Sequence, residues 1–463
     1  MNSEISGTST NNSTNELKDN YLVTGAIAPS LIRFAIPFLI ASFLQSVYGA
    51  VDLFVVGRFA DSAAVSAVSI GSQLMMIATV IVQGISMGGT VRIGFKIGRK
   101  DAFGTGISVG NTCFLFVLLA LFLTPLMLIF RDTLVIVMQT PAEAVVDCET
   151  YMFICSCGLP FIIGYNAVSG IFRGIGDSKT PVYFITIACI VNIVLDFLLT
   201  GCLGMGTAGA ALATISAQGM SFFFALIFML IRGFDFPVRR SCFIPVQEEL
   251  SAILRVGLPL ALQDALVHVS FLAISAIINT LGLVASAAVG VSEKLMGFAF
   301  LIPGAFSSAV ATMVAQNLGA GSPKRALSSA KWGVGISVMC GVVVCILCWT
   351  IPDMLIGIFS KDAAVIEKGA EYIRTYSLDC ILTGLVFNIN AYLNGNSKSL
   401  VCFIHSTIAT FLVRIPVTWI MSLYTDGSLL PMGLAAPCAS LVSILICLVY
   451  FKIFSGIFVD QTG

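Results

Sequence analysis

Apolar stretches of about twenty residues or more follow one another along almost the whole of this chain, and nothing constrains its fold more. A helix rising about 1.5 Å per residue needs that length to cross roughly 30 Å of hydrocarbon, where backbone N–H and C=O groups must pair within the segment. Breaking the 463 residues at Gly, Pro, Asn and Asp clusters and at charge runs predicts twelve helices. They fall near 28–57, 63–90, 104–130, 146–172, 180–201, 207–232, 251–280, 285–312, 328–351, 366–394, 399–424 and 430–455. Only 10% of residues are charged, against about a quarter in soluble proteins. An all-α polytopic membrane protein is therefore expected. Formal net charge is zero, so no global field recruits nucleic acid or an acidic partner.

The polar first 26 residues lack a basic start and an apolar core, which argues against a cleaved signal peptide and predicts a disordered tail. Nearly all of the 14 cysteines lie inside apolar runs. The pairs Cys155/Cys157 and Cys345/Cys348 lack the partner clusters of zinc sites, so the cysteines read as small buried apolar residues.

Lys and Arg test the topology, because cytoplasmic loops collect them. Arg33, Arg92, Lys96, Arg173, Lys179, Arg232 and eleven others fall in the tail, the even-numbered loops and the C-terminus. The opposite loops hold only Arg58, Arg131, Lys361 and Lys368. Both termini are thus expected in the cytoplasm, with the chain in the cell membrane.

A repeat of about 221 residues divides the chain. FAIPFLI (34–40) returns as VGLPLAL (256–262), SAVSIGSQLM (66–75) as AAVGVSEKLM (287–296), and MGTAGAALA (205–213) as MGLAAPCAS (432–440). Six helices per unit is an even number, so both units enter the membrane the same way, related by a pseudo-two-fold axis along its normal. The predicted organisation is a cytoplasmic tail (1–26), a six-helix lobe (27–232), a cytoplasmic linker (233–250), a second six-helix lobe (251–455) and a C-terminal tail (456–463). A cleft between the lobes is the expected substrate path.

A carboxylate at mid-bilayer costs about 2.5–3.5 kcal/mol on the insertion scale, so each one needs a partner, water or a task. Asp52 and Asp196 both precede, by five residues, a glycine that marks the outer end of their helix (Gly57, Gly201), which sets them at one depth. Asn192 lies one turn from Asp196, and Ala210 and Thr214 occupy the same layer of the next helix. Two carboxylates, an amide oxygen, a hydroxyl and a backbone carbonyl suit Na⁺, and paired carboxylates also hold a proton. The repeat maps Asp52 onto Ile274 and Asn192 and Asp196 onto about Val413 and Val417, so folding alone does not demand charge there. A purely structural hydrogen-bonded cluster is the competing reading.

Gly204, Gly206 and Gly209 spell GxGxxG but follow a membrane helix, not a strand, and read as a tight turn with close helix contact. GIGD (174–177) imitates an aspartyl protease signature at a loop. In the second lobe Asp264, His268, Glu293 and Asp379 are polar groups for transport or for interhelical contact, Asp264 and His268 sharing a face as a proton-sensing pair. Pro37, in the helix of Asp52, is a hinge candidate.

Several stretches together resemble the multidrug and toxic compound extrusion (MATE) family: VDLFVVGRFADSAAVSAVSIG, FRGIGDSKTP, NIVLD, GTAGAALAT and MVAQNLGAGSPKRA. The resemblance covers the chain beyond the tail. It implies two six-helix lobes, a central cavity, and export of cationic or amphipathic compounds by exchange with Na⁺ or H⁺, with no other cofactor and a monomeric chain. Carried over, the family's ion site matches Asp52, Asn192, Asp196 and Thr214, with Ala210 offering its carbonyl. Gln45, Tyr151 and Asn166 match cavity positions. GGTVRIGFKIGRKD, ending the second helix, is more basic than the family pattern, which leaves the subgroup open. A lipid-linked oligosaccharide flippase of the same superfamily is the rival, disfavoured by the scarcity of intramembrane Lys and Arg. A membrane enzyme is disfavoured by the lack of a second constellation at matched depth.

Overall fold

The computed structural model describes residues 20–424 and 428–459, the last six of them by backbone only. The first lobe consists of α1 (Ile27–Phe59), α2 (Ser62–Gly98), α3 (Ala102–Val137), α4 (Val145–Ile175), α5 (Lys179–Asp196) and α6 (Gly206–Arg232). The second consists of α7 (Gln247–Asn279), α8 (Leu283–Gly319), α9 (Pro323–Thr350), α10 in two stretches (Ala363–Tyr376 and Leu378–Gly395), α11 (Ser399–Ala409, resuming over Ile415–Tyr424) and α12 (Ala435–Val459). Among the described residues, eleven segments are long and apolar enough to cross a membrane. The twelfth is α10, interrupted at Ser377, whose N–H still reaches the Ile373 carbonyl at 2.8 Å. The protein is thus an all-helical, twelve-span membrane protein of two six-helix lobes.

Local chemistry sets several boundaries. Asp61 and Asp101 cap α2 and α3, each carboxylate accepting at 2.8 Å from an amide three residues on. Gly176 ends α4 at φ 94°, a backbone conformation that glycine adopts without strain. The GxGxxG stretch is the turn expected: Gly204 and Gly206 have φ 64° and 53°, and Gly209 lies against the Leu199 backbone.

Both lobes repeat one set of neighbours. Helix α2 packs on α4, α1 on α5, and α4 on α6; in the second lobe α8 packs on α10, α7 on α11, and α10 on α12. Between lobes, α2 meets α7 as α8 meets α1, and α2 crosses α8 on the pseudo-axis. Glycines make these approaches possible in a medium where apolar burial drives little association. Gly84 faces the Ala261 backbone, Gly88 the Ile253 carbonyl, Gly98 the Gln316 carbonyl and Gly319 the Phe95 carbonyl. Gly98 and Gly319 are repeat mates, so the crossing is self-complementary. All four contacts lie toward the end of the molecule that carries the basic loops. Farther from that end, Phe43 and Phe298 still touch at 6.3 Å between ring centroids, and beyond them Gly49, Gly290 and Gly297 have no neighbour. The close interlobe backbone contacts are thus gathered toward the basic-loop end.

An ion cluster reinforces the closed end. Arg92 of α2 grips Glu249 of α7 through two nitrogens at 2.6 and 2.8 Å, and Ser108 of α3 donates to the same carboxylate at 2.8 Å.

Four sequence expectations need correction. Residues 20–26, assigned to the tail, are ordered: Tyr21–Thr24 forms a helical turn, Leu22 is fully buried, and its carbonyl accepts from Asn317 at 3.1 Å. Residues 1–19 lie outside the described range. The linker, expected to run to 250, gives way to α7 at Gln247, and its Cys242 and Ile244 carbonyls accept from Asn111 of α3, which packs it against the first lobe. Helix α12 reaches Val459, past the expected tail boundary at 456. Arg173, counted with the loop cations, belongs to α4.

Candidate functional site

Three helices of the first lobe turn polar faces toward one another. On α1 the face carries Gln45, Tyr48 and Asp52; on α5, Asn192 and Asp196; on α6, Ala210, Thr214 and Gln218, each set spaced by three to four residues. The Thr214 hydroxyl donates to Asp52 Oδ2 at 3.1 Å, and Asn192 Nδ2 donates to that hydroxyl at 3.5 Å. The Asp196 and Asp52 carboxylates are in contact. Asp52, Asn192 and Asp196 are 7%, 1% and 0% exposed.

What the cluster lacks is as informative. Asp52 Oδ1, Asn192 Oδ1 and both Asp196 oxygens are buried with no hydrogen-bond donor. Leaving such groups unmet in an apolar layer costs several kcal/mol in total, at about 1–3 kcal/mol each and more for charged ones. The donor set is all hard oxygen from two carboxylates, an amide and a hydroxyl, which fits Na⁺ or a proton held between carboxylates. Ala210 sits in an unbroken turn of α6, so its carbonyl offers only the lone pair the helix leaves free.

Directly after Asp196 the helix widens into a π turn, Phe197–Cys202. Such turns gather at functional sites, because the extra residue re-aims side chains and leaves backbone groups loosely paired. Apolar periodicity gives no sign of it. Sequence reasoning also passed over Tyr48 and Gln218, which pair at 3.1 Å one turn below the carboxylates. Their spacing from Asp52 and Thr214, four residues each, was the available signal.

The cavity candidates separate. Gln45 is partly exposed on the same α1 face, and Asn166 is 9% exposed on α4. Tyr151 is corrected: its ring fills the notch over Gly71 and its hydroxyl meets Ser72 at 3.1 Å, so it belongs to the lobe core. Pro37 lies inside an unbroken α1.

In the second lobe the polar residues form two groups. Asp264 and His268 lie on one face of α7, both partly exposed. Glu293 and Asp379 instead lie within electrostatic range of Arg414, with no direct ion pair to it among the described residues, and Glu293 Oε1 is buried without a hydrogen-bond donor. The Arg414 guanidinium stacks 4.2 Å from the Phe271 ring centre and donates to the Tyr376 hydroxyl at 3.4 Å, while Ser440 donates to Asp379 at 2.5 Å. This grouping was invisible in the sequence, where the three charges lie far apart.

Known proteins share this design. The MatE family model matches residues 37–198 and 259–420, one match in each lobe. The probable multidrug resistance protein YoeA of Bacillus subtilis is 28% identical, the alignment covering 91% of this chain and 93% of the relative. YpnP of the same organism, also described as a probable multidrug resistance protein, is 25% identical over 89% and 92% of the two chains. An outward-facing multidrug resistance MATE family transporter superposes with a TM-score of 0.89 at 21% identity, covering 96% of this chain and 99% of that one. Since the two matched segments together span well over half its length, this chain belongs to the MatE family of multidrug and toxic compound extrusion transporters.

Proposed function

We propose that this protein is a cation-coupled exporter that moves amphipathic or cationic small molecules out of the cell in exchange for Na⁺ or H⁺. The observation that carries the reading is the set of four donorless oxygens on Asp52, Asn192 and Asp196, buried where hydrocarbon surrounds the lobe. A bound cation or proton satisfies them; nothing in the fold does. The basic-loop end, and with it both termini, faces the cytoplasm, so the described state opens outward.

Coupling follows from linkage. A cation drawing Asp52 and Asp196 together favours one arrangement of α1, α5 and α6, and substrate in the adjoining cavity favours another. Each then weakens the other's binding, and the gradient of one drives the other through alternate opening of the two ends. Multidrug resistance proteins among the relatives are consistent with such cargo.

Purified protein in liposomes tests this under Na⁺ and pH gradients imposed separately. Uphill movement of a cationic dye under either gradient is the expected result. Dye movement indifferent to both gradients overturns the coupling, and movement of a lipid-linked sugar in its place favours the flippase.

A further inference from the structure

Arg173 stands two residues before the end of α4, close enough to the polar boundary to extend its side chain into water as membrane arginines commonly do. It turns the other way. Its Nη1 donates to Ser169, one turn deeper, at 3.0 Å; its Nη2 donates to Ser86 of α2 at 3.1 Å; and its guanidinium lies 5.1 Å from the Phe38 ring centre on α1. Both hydrogen-bond acceptors are neutral, the Ser86 hydroxyl hydrogen being already committed to the Asn166 carbonyl at 2.8 Å. Nε is buried with no acceptor. Among the described residues no carboxylate pairs with this charge, whereas Arg414, deep in the second lobe, has Glu293 and Asp379 within electrostatic range.

Its place is deep in the first lobe, beside the contact with the second. Arg173 lies two turns below Asn166 on one face of α4, and Phe38 two turns below Gln45 on α1. The next residue, Gly174, accepts from Gln316 of the second lobe at 2.9 Å, so the second lobe packs immediately beside the guanidinium. Phe38 and Asp52 are 14 residues apart on one helix, about 21 Å at 1.5 Å per residue. A lone positive group and an acidic cluster thus mark opposite ends of one α1 face, a separation comparable to the length of an extended amphipath.

We propose that Arg173 is the anchor for an acidic group on the transported molecule, so that the preferred cargo is zwitterionic, its carboxylate held by the guanidinium fork and its aromatic body along α1. This rests on the exporter reading above. A planar guanidinium, partly accessible and held only by two neutral hydroxyls, is suited to a two-point grip on a carboxylate that displaces them.

Rhodamine B, which carries a free carboxylate, and its ethyl ester, which does not, differ at the one group in question. Wild-type protein in detergent is expected to bind the acid at least about tenfold more tightly than the ester, one tenfold step being about 1.4 kcal/mol. Arg173→Gln abolishes that preference while leaving ester binding within about twofold, and Arg173→Lys, which keeps charge without the fork, retains part of it. Equal wild-type affinities for acid and ester overturn the proposal, as does a parallel loss of both dyes in a folded Arg173→Gln protein. The wild-type comparison needs no variant to fold. Failure of gradient-driven transport for both dyes, with the acid preference intact, counts against the exporter reading alone.

Discussion

The fifth helix of each lobe breaks its regular winding, yet the two breaks hold opposite charges. In α5 a π turn follows Asp196, which meets a second carboxylate. In α11 the π turn Thr410–Arg414 ends on an arginine that lies within electrostatic range of the Glu293 and Asp379 carboxylates. A buried carboxylate can be met by a cation built into the chain or by one that comes and goes. Only the second kind can be linked to a gradient, because a covalent cation has no chemical potential of its own to spend. On the function proposed above, the second lobe has its cation already and the first borrows one.

The sharpest way to break this contrast is to remove the charge from the borrowing side. Asp196→Asn or Asp52→Asn is expected to lower gradient-driven efflux by about 100-fold, the upper range of a typical coupling energy. Neither should reduce stability, because a neutral isostere relieves a buried, unpaired carboxylate. Efflux from proteoliposomes and thermal unfolding of the purified protein check the two halves together. Unchanged efflux from well-inserted variants removes the assigned role.

Arg414→Met probes the self-sufficient side and should show the reverse profile. Stripping the cation from two buried carboxylates is expected to cost about 3–5 kcal/mol of stability. Adding Asp379→Asn in the same chain should restore part of the loss. In the single variant, the second lobe should also become sensitive to Na⁺ or acid, seen as a melting temperature that rises with either. Indifference to both would mean that Arg414 is not what satisfies Glu293 and Asp379.

A smaller effect is expected where the lobes meet. Gly98 and Gly319 each press against a carbonyl of the other lobe. Gly98→Ala or Gly319→Ala places a methyl group in that contact and should shift the balance between closed and open at this end by about tenfold, or 1.4 kcal/mol. Spin-label distances across the basic-loop ends of α2 and α8 measure it. A closed end as populated as in the wild type shows that the crossing tolerates the extra carbon.

Much of this was legible in the sequence, because hydrocarbon leaves a chain few choices. Span number, the repeat and the common depth of Asp52, Asn192 and Asp196 all follow from helical rise and the cost of buried charge. The π turns were not legible, since an extra residue per turn leaves apolar composition unchanged. Nor was the grouping of Glu293, Asp379 and Arg414, which depends on how α8, α10 and α11 rotate against one another. Arg173 shows a third limit: a basic residue near a helix end counts as a loop cation until its side-chain direction is known. Tyr151 erred the other way, a polar tip on a ring that Gly71 draws into the core.

The least effect belongs to the loop between α4 and α5, where charge is paired in water's reach. Partial burial works against ionising Asp177, but hydrogen bonds from the Thr180 hydroxyl (2.7 Å) and amide (3.0 Å) and from Arg232 (2.7 Å) outweigh it and hold the carboxyl below its usual range. A folded-state pKa below the unfolded one means that the contribution is fully present above the ordinary carboxylate range and is lost as pH falls through the depressed value. Arg232→Gln should therefore trim stability at neutral pH by less than about 1 kcal/mol, as for other half-exposed pairs. The deficit should vanish in acid, where Asp177 is protonated in both proteins. Unlike the cluster around Asp52, this pair should also lose strength with added salt, because its ions are screened. Melting curves of the two proteins at neutral and acid pH, each at low and high salt, measure both trends. A deficit that persists in acid would assign Arg232 a role other than pairing with Asp177.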